Sequence, residues 1–137
     1  MENCIFCKIV AGEIPCYKIF ENEKILAFLD INPAVPGHVL VIPKKHFTDI
    51  FEIDDQYLQE LIVVAKRIAE KMKTNFDAGG VNLFQSNGEN AEQTVFHFHL
   101  HLLPRKGNDR INFSELLVNA EKIDNMKLEE IKKILGE

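Results

Sequence analysis

The run Phe96-His97-Phe98-His99-Leu100-His101-Leu102-Leu103 alternates apolar and imidazole side chains, a period of two that only an extended strand sorts into faces. It predicts a strand with His97, His99 and His101 on one side and Phe96, Phe98, Leu100 and Leu102 on the other. Spaced roughly 6.6 Å apart along one face, the imidazoles are groups that serve near neutral pH as nucleophile, proton donor or metal ligand. Three of the five histidines in the chain fall on that face. Three adjacent imidazoles are harder to satisfy in a core than one, so the row points to chemistry rather than packing.

The rest of the chain supplies an ordinary globular frame for this strand. At 137 residues it is read as one domain, residues 1–137, large enough to bury roughly two thirds of its unfolded surface. No apolar run approaches the ~20 residues of a membrane helix, so no membrane partner is expected. The start Met1-Glu2-Asn3-Cys4-Ile5 lacks a secretory pattern, which places the chain in the cytoplasm with its three cysteines reduced. A net charge of -5 argues against an extended nucleic-acid interface, which works by neutralising many phosphates.

Tyr17 to Glu21 and Lys24 to Asp30 read as a hairpin around Asn22-Glu23. Pro33, Pro36 and Gly37 punctuate a loop, and Val39 to Ile42 is a continuous apolar run suited to a strand buried on both faces and ended by Pro43. From Asp54 the period becomes helical: Leu58, Leu61, Ile62, Ala65, Ile68, Ala69 and Met72 share a stripe, with Asp54 or Asp55 available as cap. Val81 to Gln85 reads as a strand that Asn87-Gly88 turns back against the histidine strand. In the tail, Leu116, Leu117 and Ala120, then Leu128, Ile131, Ile134 and Leu135, recur at helical intervals. The sum is an α+β domain: an antiparallel sheet of about five strands, one long central helix and a C-terminal helical tail.

Cys4-Ile5-Phe6-Cys7 has the gap that lets two thiolates grip one tetrahedral zinc, if two more ligands come from His38, His46 or the histidine row. A redox dithiol and a pair of inert buried cysteines are the rival readings, and the pair precedes the first strand rather than opening a helix after one. Cys16 reads as a small buried apolar residue. The histidine row admits a catalytic zinc with two ligands at i and i+2, or an imidazole that attacks phosphorus directly. The second use needs phosphate donors, and Lys44, Lys45, Arg105, Lys106, Thr94, Gln93 and Asn87 lie near the motifs. The lysines are read as solvated surface.

Several segments carry a resemblance. Gln93-Thr94-Val95-Phe96-His97-Phe98-His99-Leu100-His101-Leu102-Leu103 resembles the signature of the histidine-triad family. Cys4-Ile5-Phe6-Cys7-Lys8-Ile9, Gly12-Glu13-Ile14-Pro15, Ala27 through Pro33 and Pro36 through His46 resemble family segments in the same order. The resemblance spans about residues 4–105, and the tail 106–137 resembles nothing specific. It implies a nucleotide-binding hydrolase that attacks the α-phosphorus of a purine nucleotide phosphoramidate, ester or dinucleoside polyphosphate. His99 matches the nucleophile that forms a covalent nucleotidyl-histidine, and water then releases a nucleoside monophosphate.

By the same comparison His101 and the backbone near Thr94 hold phosphate oxygens, and the Thr94 hydroxyl lies close to the leaving group. His38 matches an orienting histidine. Asn87 and Gln93 match supporting phosphate contacts, Asp30 the ribose hydroxyls, and Ile9, Phe28 and Ile31 the base pocket. The C-x-x-C branch resembles members with a structural zinc, which implies Cys4, Cys7, His46 and His97 as its ligands, and the family implies a homodimer. One departure is Glu92, where many members carry glycine before the glutamine. A carboxylate there either turns away from the phosphate or selects the leaving group. The alternative to an enzyme is a nucleotide-binding regulatory or scaffold module with vestigial catalysis; a redox or zinc-delivery protein is a third class.

Overall fold

The computed structural model describes residues 3–115 and 122–137. The elements run α1 (Ile5–Val10), β1 (Lys18–Glu21), β2 (Ile25–Leu29), β3 (Val39–Pro43), α2 (Asp55–Asn75), β4 (Gly80–Phe84), β5 (Leu100–Arg105) and, near the end, α3 (Asn125–Leu135), with a 3₁₀ turn at Glu89–Ala91. The strands form one antiparallel sheet in the order β1-β2-β3-β5-β4. This is the expected α+β architecture. Of the expected tail helix, Leu116, Leu117 and Ala120 lie outside the described residues, while Leu128, Ile131, Ile134 and Leu135 fall on α3.

The β1–β2 turn forms at Asn22, whose Oδ1 accepts the backbone N–H groups of Lys24 and Ile25 at 2.9 and 2.8 Å; an Asx side chain closes the turn by standing in for a backbone carbonyl. Alternation in β2 and β3 sends Ile25, Ala27, Val39 and Val41 to one face of the sheet. Leu26, Phe28, Leu40 and Ile42 go to the other, where they meet Phe6 of α1. The first face is covered by α2 through Leu61, Val64, Ala65, Ile68 and Met72. At roughly 1.5–3 kcal/mol per fully buried large apolar side chain, this layer is the main cohesive element of the fold. The second face holds the histidines.

Several details depart from the expectations. The helix stripe includes Val64 and leaves Ile62 47% exposed, because the buried arc is centred on 61, 64, 65, 68 and 72. Asp54 occupies the cap position of α2 without a side-chain cap bond; its carboxylate lies 3.7 Å from Lys45 Nζ instead. β3 includes Pro43, and β4 covers Gly80–Phe84. The histidine strand begins only at Leu100. The β3–β5 ladder pairs Val39, Leu40 and Val41 with Leu102, His101 and Leu100, and beyond it Pro43 has no N–H to continue pairing. Phe98 N–H turns to the Phe47 carbonyl at 2.7 Å. The alternation of faces survives: Phe98, Leu100 and Leu102 enter the α2-side core. Phe96 escapes it at 45% exposure.

Gly37 shapes the loop that delivers His38. Its φ is +89°, and a Cβ there would stand 2.5 Å from Phe76 Cε1, so both backbone conformation and space call for glycine.

Candidate functional site: a histidine relay beside a thiolate–imidazole cluster

The three row histidines meet three different environments. The ring of His97 is fully buried, and its Nε2 donates to the Pro43 carbonyl at 2.8 Å. That bond leaves Nδ1 with a free lone pair, and Nδ1 faces Cys4 Sγ at 3.4 Å and Cys7 Sγ at 3.5 Å. His46 Nδ1 lies 3.3 Å from Cys7 Sγ. The four donor atoms of Cys4, Cys7, His46 and His97 all lie within 4.8 Å of one another.

This donor set fits a tetrahedral zinc. Bond lengths of ~2.3 Å to sulfur and ~2.05 Å to nitrogen put neighbouring ligand atoms about 3.6 Å apart, close to the observed sulfur–nitrogen distances. The pinned His97 tautomer is what a metal-binding imidazole requires of its second nitrogen. Burial and the adjacent Cys4 sulfur push the Cys7 thiol up, a cost that a divalent cation removes by taking the thiolates as ligands. As expected, the Cys-x-x-Cys pair precedes the first strand; it opens a short helix there that the sequence did not mark, with Cys4 as the cap of α1 and its Sγ accepting the Cys7 N–H at 3.4 Å.

His99 Nδ1 donates to the His97 carbonyl at 2.7 Å. Its Nε2 therefore carries the lone pair in the neutral ring. At 6% exposure burial holds its pKa below the usual histidine value, against a smaller opposing pull from that hydrogen bond and from Asp30. At neutral pH the ring is uncharged and Nε2 is nucleophilic.

His101 and His38 form a directional chain. The Ala34 N–H donates to His38 Nδ1 at 3.1 Å, so the hydrogen of neutral His38 sits on Nε2. That Nε2–H donates to His101 Nδ1 at 2.9 Å, and the His101 hydrogen is thereby placed on its own Nε2. Burial first, then the neighbouring His99 and His38 rings, push His101 down to about 3; burial lowers His38 as well. Phe84, the cross-strand partner of His101, stacks on it at 4.2 Å with planes 6° apart. Asp30, His38 and His101 also form a possible ligand cluster. The Nε2 hydrogen that Ala34 imposes on His38 makes this a hydrogen-bond relay rather than a cation site.

Beside His99 and His101 opens a cleft of about 340 Å³ lined by Ile9, Phe28, Asp30, Ile31 and Thr94 among others. All six residues expected in the base, ribose and leaving-group positions or as nucleophile thus share one cavity with His101; His38 stands behind it. Asp30 Oδ1 accepts the Asn32 N–H at 2.8 Å, and Oδ2 lies 3.8 Å from His38 Nε2. Asn87 and Gln93 do not line the cleft. Asn87 Oδ1 accepts the Ile50 N–H at 2.7 Å. Gln93, 5% exposed, accepts the Gly88 N–H and donates to the carbonyls of Thr48 and Val95. Both brace the loops around the site. Glu92 is exposed and outside the cleft lining.

The sequence reading missed Ile5, Phe6, Ile14 and Val95 in the cleft wall, and took Cys16, which is also there, for a core residue. The available signal was Ile5 and Ile9 at i and i+4, too short a run to mark a helix.

A HIT domain family model matches residues 11–108. The chain belongs to the HIT family. Its HIT-family relatives include the "Protein hit" of Bacillus subtilis, 46% identical over 106 residues, covering 77% of this chain and 73% of the relative. An adenosine 5'-monophosphoramidase of Candida albicans is 44% identical over 108 residues, 76% of this chain and 71% of that protein. Among solved structures, a zinc-bound histidine triad family protein from Mycobacterium smegmatis superposes with a TM-score of 0.78 at 40% identity, covering 82% of this chain and 81% of that one. The Cys4/Cys7/His46/His97 cluster fits the zinc-binding C-x-x-C branch of the family.

Proposed function

We propose that this HIT protein is a nucleotidyl hydrolase that acts on a purine nucleotide, a phosphoramidate first among the candidates, through a covalent intermediate on His99. The observation that carries the reading is the His99 tautomer: Nδ1–H tied to the His97 carbonyl leaves Nε2 unprotonated beside a mostly apolar cleft. His99 Nε2 attacks the α-phosphorus, forming a P–N bond as the bond to the leaving group breaks. Water then attacks the same phosphorus, releasing nucleoside monophosphate and regenerating the imidazole.

His101 presents Nε2–H to a phosphate oxygen, and His38 keeps it in that tautomer. The Thr94 hydroxyl stands at the leaving-group side. Asp30 accepts from ribose hydroxyls, and Ile9, Phe28 and Ile31 hold the base. For Asn87 and Gln93 the reading favours loop support over direct phosphate contact, since their amides are engaged within the protein. Cys4, Cys7, His46 and His97 hold zinc as a structural ion that ties α1 to the histidine row. The phosphoramidase activity of the Candida albicans relative supports the substrate class. Pairing into a homodimer is supported by the β4 edge, unpaired among the described residues, and by exposed Leu83, Ile62 and Val63. The three free cysteines suit the reducing cytoplasm.

The test is incubation with adenosine phosphoramidate and with diadenosine polyphosphates, comparing wild type with His99→Ala. Wild type is expected to release adenosine monophosphate, and the variant to lose at least about a thousandfold in kcat/KM. Equal release by both proteins sinks the assignment. Tight nucleotide binding by wild type without product formation favours a regulatory module instead.

A further inference from the structure

The thiolate–imidazole cluster and the cleft share one short element. Helix α1 has six residues, carries Cys4 as its cap and Cys7 within it, and buries one residue, Phe6. Six residues are far below the length at which an isolated helix holds itself together in water, so α1 depends on what grips it. Phe6 sits between the two cluster thiols in sequence and is 6% exposed. Its ring meets the edge or face of His99 at 5.2 Å, Phe28 at 5.7 Å and His97 at 5.8 Å, with interplanar angles of 77°, 69° and 80°. Edge-to-face geometry is the favourable arrangement for rings at such distances. Ile5 and Ile9 of the same helix line the cleft with Phe6.

The other side of the cluster does not depend on a cation. His97 is fixed by its Nε2 bond to Pro43, and the following residue by the Phe98–Phe47 backbone bond. Filling the cluster therefore adds most of its constraint to α1. We infer that Phe6 is a positioning residue that carries the grip of the Cys4/Cys7/His46/His97 cluster to the His99 ring and the cleft wall, so that a divalent ion at the cluster and a nucleotide in the cleft bind with mutual reinforcement. The inference rests on the nucleotide reading above. Coupling between two ligands is reciprocal: the factor by which zinc tightens nucleotide binding equals the factor by which nucleotide tightens zinc binding.

The experiment measures adenosine monophosphate affinity by calorimetry on the full-length zinc-loaded and zinc-stripped protein. Zinc affinity is measured by competition with a chromophoric chelator, with and without the nucleotide. Wild type is expected to show the same factor, on the order of tenfold, in both directions. Phe6→Ala and Phe6→Leu are expected to bind one equivalent of zinc while the coupling falls to within about twofold; the leucine variant keeps a large buried apolar side chain and guards against a misfolded alanine variant. A wild-type nucleotide affinity unchanged by zinc removal overturns the inference, as does full coupling in Phe6→Leu. Zinc-loaded wild type that takes up no nucleotide overturns the nucleotide reading, and this inference with it.

Discussion

The two ends of the histidine row are held by opposite means. At the His97 end, soft and charge-bearing donors converge on one point, and the ring is locked by a carbonyl behind it. At the His101 end, neutral rings pass a hydrogen along a line that begins at the Ala34 backbone N–H, with Phe84 stacked alongside. One end gathers four lone pairs in the arrangement a cation would take; the other aims a single N–H. Identical side chains four residues apart thus acquire different chemistry from whatever the fold places at their second nitrogen. His99 lies between, taking its hydrogen-bond partner from the His97 backbone and its neighbouring ring from His101.

Breaking the cluster end should have the largest effect on stability. Cys4→Ser with Cys7→Ser is expected to abolish zinc binding and lower unfolding free energy by about 3 kcal/mol or more, read by metal analysis and urea denaturation. Retention of a full equivalent of zinc would show that the ion is held elsewhere. Breaking the relay end should leave zinc and fold intact and strike turnover. His38→Ala is expected to lower kcat on the order of a hundredfold with metal content unchanged, and a variant that matches wild type would remove His38 from the chemistry.

Acid should weaken both ends in the same direction, since burial pushes His97 down to about 4 as well, and the relay end can be read through a single ring. His101 is pushed down to about 3 by burial and neighbouring rings, whereas an unfolded histidine titrates near 6.5. Between those values the unfolded chain binds a proton that the folded chain refuses. Stability is thus fully present above about pH 6.5 and is lost as pH falls toward 3. The urea midpoint of zinc-stripped protein is expected to fall from pH 7 to pH 5, and less steeply in His101→Gln. An unchanged slope would mean that the relay rings are not held neutral.

The smallest expected effect lies outside both ends. Glu92 has φ of +64°, a left-handed conformation that costs a residue with a Cβ roughly 1 kcal/mol and glycine nearly nothing. Glu92→Gly is expected to stabilise the protein by about that amount in urea denaturation, offset in part by the looser unfolded chain. The backbone of this chain thus favours a glycine at this position without reference to phosphate.

The sheet and α2 were legible because their signals are local: a continuous apolar run for Val39–Ile42, a period of two for the histidine row, and one near 3.6 for Leu61 to Met72. The four-ligand cluster was legible through resemblance, with the Cys-x-x-Cys spacing alone leaving rivals open. Helix α1 was not legible, since its six residues are ordered by Phe6 meeting rings about ninety positions away, and no local pattern records such a contact. The roles of Asn87 and Gln93 were opaque for a related reason. Sequence places both near the site, but only the fold reveals that their amides are spent on the Ile50, Gly88, Thr48 and Val95 backbone.

Among the described residues, strand β4 closes one side of the sheet with no ladder partner on its outer edge, and Phe84 at its end lies flat against the His101 ring. An added chain aligned on that rim would have only β4 between it and the strand that carries the proton-bearing imidazole. Whether such a neighbour tightens or tilts Phe84, molecular company at the margin would be felt at the centre.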